Sequence, residues 1–252
     1  MNTIGFKIEL INNNIFKDAF ESISRIVDEV KIEIDSEGFR VNALDRSHIV
    51  FVGLDLKPSV FDSFECEIPE VINVDTQEFM QILKRAKKTD TLHLTLSDDI
   101  SNSIMIQLIG ESTRTFKIKL IDMEYETPQL PDLNPPSVIQ MESSLLKDSL
   151  GDMELFSDVV VYTIDEEYFI SSSNGEFGDS DFKYYHGENI NGTVKSSFGI
   201  DKLKEILSAS KFSPICEMQL GNDMPIILTF RLDTDDGELK FLLAPRLEEG
   251  ED

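Results

Sequence analysis

Apolar residues recur along this chain at two spacings. Phe16, Ala19, Phe20, Ile23 and Val27 repeat every three or four positions, which sets them on one stripe of a helix. The same spacing returns with Phe79, Ile82, Leu83 and Ala86, with Leu146, Leu150 and Met153, and with Leu203, Ile206 and Leu207. Between these stretches lie short β-branched runs bounded by Gly or Asp. VKIEI turns at DSEG into FRVNA, and HIVFVGLDL, TLHLTL, IMIQLIG and RTFKIKLI follow; later come CEMQL, MPIILTFRL and ELKFLLAP. These predict strands joined by tight turns. Two helices beside many strands in each half predict an α+β fold, with the helices gathered on one face of predominantly antiparallel sheets.

The two halves repeat each other. IFKDAF (15–20) matches LLKDSL (145–150), and IEIDSEGFRVNA (32–43) matches YTIDEEYFISSS (162–173), both at an offset of 130. Phe16 falls on Leu146, Phe20 on Leu150, Ile34 on Ile164, Asp35 on Asp165 and Phe39 on Phe169. FMQILKRAKK (79–88) then meets LKEILSASKF (203–212), and TFKIKLI (115–121) meets ELKFLLA (238–244), at offsets of 124 and 123. An ordered set of matches with a slowly drifting offset predicts a duplicated domain. DMEYETPQLPDLNPPS (122–137) holds four of the nine prolines and reads as an extended connector. The predicted domains are therefore 1–121 and 138–252, joined by 122–137.

Charge changes the picture. The chain has 48 acidic and 23 basic side chains, a formal charge of −25, which repels nucleic acid at long range. Yet Lys84, Arg85, Lys87 and Lys88 crowd the end of one predicted helix, with Lys84 and Lys88 opposite the apolar stripe and Arg85 and Lys87 on its flanks. Lys17, Arg25, Lys147, Lys202, Lys204 and Lys211 lie on the other helical stretches, while strands, connector and tail hold most of the acid. Cations near a helix C-terminus also favour the helix dipole, so one basic turn by itself has a purely structural explanation. With cations on every helix, the helical side can touch phosphates without reading bases, and no aromatics interleave to stack on them.

Six collinear segments resemble the sliding clamps of the proliferating cell nuclear antigen type, archaeal members in particular. They are VNALDRSHIVFVGLDL (41–56), ILKRAKKTDTLHL (82–94), RTFKIKLID (114–122), the acidic connector, GNDMPIILTF (221–230) and the ending LKFLLAPRLEEGED. The resemblance implies a ring-forming duplicated clamp fold, a homotrimer whose helices line a central hole and whose sheets form the outer wall. Double-stranded DNA would pass through the hole, facing Lys17, Lys84, Arg85, Lys87, Lys88, Lys147, Lys204 and Lys211. Ring closure would pair residues 111–119, with Arg114, Lys117 and Lys119, against 176–184 of a neighbour, with Glu176, Asp179 and Asp181. DNA polymerase, clamp loader, flap nuclease and ligase would dock a short peptide in a cleft. Its positions are Leu44, His48, Ile49, Phe51, Leu130, Pro131, Pro225, Leu243, Ala244 and Pro245. The first helices are less basic than the family pattern, since Asp18 follows Lys17 and Asp148 follows Lys147. Leu242 stands where relatives often have an aromatic.

Other readings have less to stand on. DTDDGEL (233–239) clusters carboxylates, but its Asp-Gly between apolar runs is a hairpin turn and lacks a calcium-loop ligand series. The sequence has no Lys-Ser/Thr phosphate loop, no HExxH and no CxxC, and His48, His93 and His186 are isolated. No catalytic residue, metal or cofactor is expected. Cys66 and Cys216 sit in apolar runs and are expected as buried, reduced thiols. No run of 18 apolar residues occurs, so the expectation is a soluble protein without a membrane partner, cytoplasmic and nucleoid-associated in an archaeon or nuclear in a eukaryote. A checkpoint-type clamp, or an acidic scaffold that never encloses DNA, shares the fold and is the alternative.

Overall fold

The computed structural model describes residues 4–97, 102–122, 128 and 133–246. The strands are β1 Ile4–Leu10, β2 Glu29–Asp35, β3 Gly38–Leu44, β4 Val50–Leu56, β5 Ser63–Cys66, β6 Glu70–Asp75, β7 Thr91–Ser97, β8 Ser103–Ile109, β9 Thr113–Lys119, β10 Ser137–Glu142, β11 Val159–Ile164, β12 Tyr168–Gly175, β13 Gly178–Tyr185, β14 Val194–Gly199, β15 Ile215–Leu220, β16 Ile226–Arg231 and β17 Gly237–Leu243. The helices are α1 Asn14–Ile26, α2 Thr76–Leu83, α3 Ser143–Met153 and α4 Ile200–Ile206.

The chain forms two compact units, one of residues 1–45, 52–129 and 231–239, the other of 46–51, 130–230 and 240–252. In the first unit β5, β1, β7, β8 and β9 lie side by side in that order, and so do β6, β2, β3 and β4. In the second, the orders are β13, β12, β11, β14 and β10, β15, β16, β17. Every pairing with a recorded register is antiparallel, for example Ile34 opposite Phe39 and Ile164 opposite Phe169.

The apolar stripes fill the cores as their spacing demands. Phe16 and Phe20 of α1, Phe79 of α2 and Phe39 of β3 form one aromatic cluster, with ring centroids 4.8 to 6.2 Å apart. Burying each ring contributes roughly 1.5–3 kcal/mol, which far exceeds the intrinsic propensity of helices this short. The second unit centres on Tyr162 with Phe169 and Phe198, and on Phe230 with Phe241. Leu146, Leu150 and Met153 of α3 and Leu203 and Ile206 of α4 are buried with them.

The matched aspartates do one job twice. Asp35 Oδ1 accepts from the backbone N–H of Glu37 at 2.8 Å. Asp165 Oδ1 likewise accepts from Glu167 N at 2.8 Å, and also from Tyr168 N at 2.7 Å. Each carboxylate thus closes the turn that reverses its hairpin. The Arg40 guanidinium, 2.5 Å from Asp35, holds that carboxyl below its ordinary pKa, and the two N–H donors do so for Asp165.

Three expectations need correction. The helix over 79–88 stops at Leu83, and Lys84 begins a turn closed by Arg85 N to Ile82 O at 2.8 Å and Ala86 N to Leu83 O at 3.0 Å. Like charges at Lys84, Lys87 and Lys88 would stack on one helical face, so continued helix is disfavoured. In the second unit α4 ends at Ile206, and Leu207–Lys211 is a 3-10 segment in which Ser208 Oγ donates to Glu205 O at 2.6 Å. Serine competing for a backbone acceptor weakens regular helix there. Cys216 is buried, but Cys66 is partly exposed because β5 lies at a sheet edge.

Asp35→Ala and Asp165→Ala are each expected to lower stability by about 1 kcal/mol near neutral pH. Both carboxyls have depressed pKa values in the folded state, so their contribution is present above the unfolded value of about 3.9 and fades as pH falls below it. Thermal melts from pH 7 down to 3 check this: the gap between variant and parent should narrow with acidification.

Candidate nucleic-acid interface and partner cleft

The basic turn is built between two strands and two helices of the first unit. Asp75 caps α2 by accepting from Glu78 N at 2.8 Å, and buried Thr76 Oγ1 donates to Val27 O at 2.6 Å, which fastens the start of α2 to the end of α1. Phe79, Met80 and Leu83 bury the inner face of the helix. Lys84, Arg85, Lys87 and Lys88 therefore emerge on the opposite, exposed side. Lys84, Arg85 and Lys88 make no ion pair among the described residues, and Lys87 meets Glu111 only at 3.8 Å in full solvent.

The backbone of this turn is held by Asn13 and Asp90, which sequence reasoning did not single out, and by Arg114, which it assigned to an interface. Asn13 occupies the cap position of α1 but spends its amide elsewhere, donating to Lys87 O at 2.9 Å and to Asp90 O at 2.5 Å. Asp90 Oδ2 accepts from Lys87 N at 2.7 Å and pairs with the Arg114 guanidinium. Arg114 Nη1 also donates to Arg85 O at 2.9 Å. Arg114, expected as an interface cation, is thus committed within its own subunit. It shares the half-buried face of β9 with Phe116 and Ile118, whereas Lys117 and Lys119 alternate to the exposed face.

The remaining expected cations fall into different settings. Lys17 is half-buried on α1, and Lys147 is exposed on α3. Lys204 is engaged by both oxygens of Glu154, at 2.6 and 2.7 Å, so its charge is largely answered inside the second unit. Lys211 ends the 3-10 segment after α4. Positive charge is consequently densest on the turn of the first unit.

An apolar cluster forms in the second unit. Phe51, Ile227 and Leu242 make a buried cluster with Leu133 packed against it. Ile49, two residues before Phe51, is 38% exposed, and its carbonyl accepts from Ala244 N at 2.9 Å. Pro225, Ala244 and Pro245 are half-buried, and exposed His48 adopts a left-handed backbone with φ of 59°. Strand alternation explains the grouping: Ile49 with Phe51, Pro225 with Ile227, and Leu242 with Ala244 share a face. Leu243, expected here, alternates to the other face with Phe241 and is buried in the core. Leu44 belongs to the first unit, and Leu130 and Pro131 lie outside the described residues. Ile227 and Leu242 were findable from the period-two pattern of IILTF and FLLAP, since their neighbours face the core.

Among the strands that end their sheets in the described residues, β9 and β13 carry the expected interface residues. β9 is last beside β8, and β13 is last beside β12. Lys117 and Lys119 are exposed on the first edge; Asp179 and Asp181 are exposed on the second, with Glu176 at its hairpin tip. Phe177 at that tip is 93% exposed, held between Gly175 and Gly178, which both abut Phe156. A φ of 153° and the proximity of the Phe156 ring explain glycine at 178.

The family model "Proliferating cell nuclear antigen, N-terminal domain" matches residues 5–128, and the corresponding C-terminal domain model matches 129–246. The DNA polymerase sliding clamp of Methanobrevibacter smithii is 51% identical over 246 residues, covering 98% of this chain and all of that protein. That of Methanothermobacter thermautotrophicus is 49% identical, covering 96% and 98%. Among solved structures, the nuclear antigen of Thermococcus kodakaraensis superposes with a TM-score of 0.89 at 25% identity, over 96% of this chain and all of that one. The protein from Entamoeba histolytica gives 0.90 at 21% identity over 97% of this chain, a likeness of fold. With both domain models matched in order along almost its whole length, the chain belongs to the proliferating cell nuclear antigen family.

Proposed function

We propose that this protein is a sliding clamp that encircles duplex DNA and tethers DNA polymerase to it. The observation that supports the reading best is the exposed Lys84–Lys88 turn, four cations on a chain of net charge −25, together with family membership along the whole chain. Contacts from flexible cations to phosphates are non-specific and individually weak, which suits sliding. Retention then comes from enclosure. The protein has no catalytic role in this reading, and the checkpoint-type clamp and the acidic scaffold lose ground to relatives named DNA polymerase sliding clamp. Among the described residues no helix is long and apolar enough to cross a membrane, consistent with a nucleoid-associated role in an archaeal cytoplasm.

Enclosure requires a closed ring, and we assign closure to β9 of one copy beside β13 of the next, as a homotrimer. Two exposed edges with opposite charge are complementary templates, and unpaired edges are otherwise an aggregation hazard. Exposed charge pairs contribute only ~0–1 kcal/mol each, so they set register. Burying Phe177 would add roughly 1.5–3 kcal/mol, a larger share of affinity. The Ile49, Phe51, Ile227 and Leu242 surface is the proposed seat for short apolar peptides of polymerase, clamp loader, flap nuclease and ligase.

Three outcomes are expected. Lys84→Ala with Lys88→Ala shortens retention on DNA and lowers polymerase processivity across a salt series while the trimer persists; unchanged values would remove the turn from the DNA path. Ile49→Asp abolishes binding of a partner peptide in calorimetry without altering assembly, and normal affinity would place the cleft elsewhere. Light scattering gives a trimer for the parent, and Phe177→Ala raises its dissociation constant at least about tenfold; a parent that is solely monomeric at micromolar concentration would exclude a self-sufficient ring.

A further inference from the structure

We infer that Asp90 is the positioning residue of the basic turn: a buried carboxylate that never meets DNA fixes the direction in which Arg85 and Lys87 leave the surface. The inference rests on the proposed contact between this turn and DNA.

Four cations in five residues repel one another, and a free turn bearing them would spread over many conformations. Here the backbone has little freedom. Asp90 is 3% exposed. Its Oδ2 takes Lys87 N and the Arg114 guanidinium, while its own N–H donates to Lys87 O at 3.0 Å. Arg114 continues to Arg85 O, and buried Asn13 reaches Lys87 O and Asp90 O from the start of α1. Three carbonyls, of residues 85, 87 and 90, are thus taken by the side chains of Arg114 and Asn13, and Ala86 is buried among them. With the carbonyls turned in, the side chains of Arg85 and Lys87 point out.

The charge arrangement matters as much as the hydrogen bonds. A carboxylate so close to the turn would ordinarily draw Arg85 or Lys87 onto itself and cancel one of the charges available to a phosphate. Arg114 answers Asp90 instead, from β9, so Asp90 does not draw the cations of the turn onto itself. Gly110 completes the nest: a Cβ there would overlap Asp90 Oδ1, on a carboxylate already held through Oδ2. Asp90 therefore acts on DNA only through the cations it aims.

The test uses the full chain as a trimer and a random-sequence duplex as probe, with affinity measured against salt. The slope of log affinity against log salt counts the phosphates neutralised. Four proteins are compared: parent, Asp90→Ala, the double variant Arg85→Ala/Lys87→Ala, and the combined triple variant. Positioning predicts that Asp90→Ala lowers the slope about as much as the double variant, and that adding it to the double variant changes nothing more. It also predicts about tenfold faster amide exchange at Lys87 with β7 and β8 unchanged. Gly110→Ala, which crowds Asp90 without removing it, is expected to give the same slope and serves if Asp90→Ala does not fold. A double variant with a lowered slope beside an unchanged Asp90→Ala overturns the positioning role alone, as does an additive loss in the triple variant. A double variant with an unchanged slope overturns the DNA contact of Arg85 and Lys87, and the inference with it.

Discussion

A chain of net charge −25 can approach a polyanion only where cations are concentrated and not answered by nearby carboxylates. Screening makes such a place possible. At physiological salt the Debye length is about 8 Å, so exposed acid further off than this is felt weakly. The turn after α2 meets the condition because its one deeply buried carboxylate, Asp90, is neutralised by Arg114 from another strand. The second unit handles charge differently. There Lys204 is held by Glu154 and Lys202 by Glu205, so the equivalent helical end offers less free positive charge. The proposed contact with DNA is accordingly uneven between the two halves.

The duplication is visible in physics as well as in spacing. Phe16 with Leu146, Phe20 with Leu150, and Phe39 with Phe169 occupy the same buried positions in the two units. Asp35 and Asp165 close the same turn with the same bond. What diverged lies at surfaces: a cation-rich turn and the β9 edge in one unit, an acidic edge and an apolar surface in the other. Such a division lets one copy's edge complement another's, which identical halves could not do with charge alone.

Much of this was legible in the sequence because burial imposes periodicity. Helix stripes and strand alternation gave the elements, the offset of 130 gave the repeat, and collinear segments gave the family. The basic residues themselves were found, but not their setting. Helical spacing extended α2 through Lys88, since a wheel cannot register that Asn13 and Asp90 offer the backbone better partners. The setting of Arg114 was missed for a related reason: its sign fits an interface, and only three-dimensional proximity reveals its pairing with Asp90. In the cleft, Leu243 came from the family resemblance, whereas strand parity buries it beside Phe241 and sets Leu242 in the cluster with Phe51 and Ile227. Asn13, an ordinary helix-start residue in sequence, gave no signal of its long-range role.

Enclosure is the central claim, and topology tests it more directly than affinity does. The protein, loaded by a clamp loader onto nicked circular duplex and freed of loader, should remain bound until the circle is cut, then leave promptly from the new ends. Equal lifetimes on circular and linear DNA would contradict a ring threaded by the duplex.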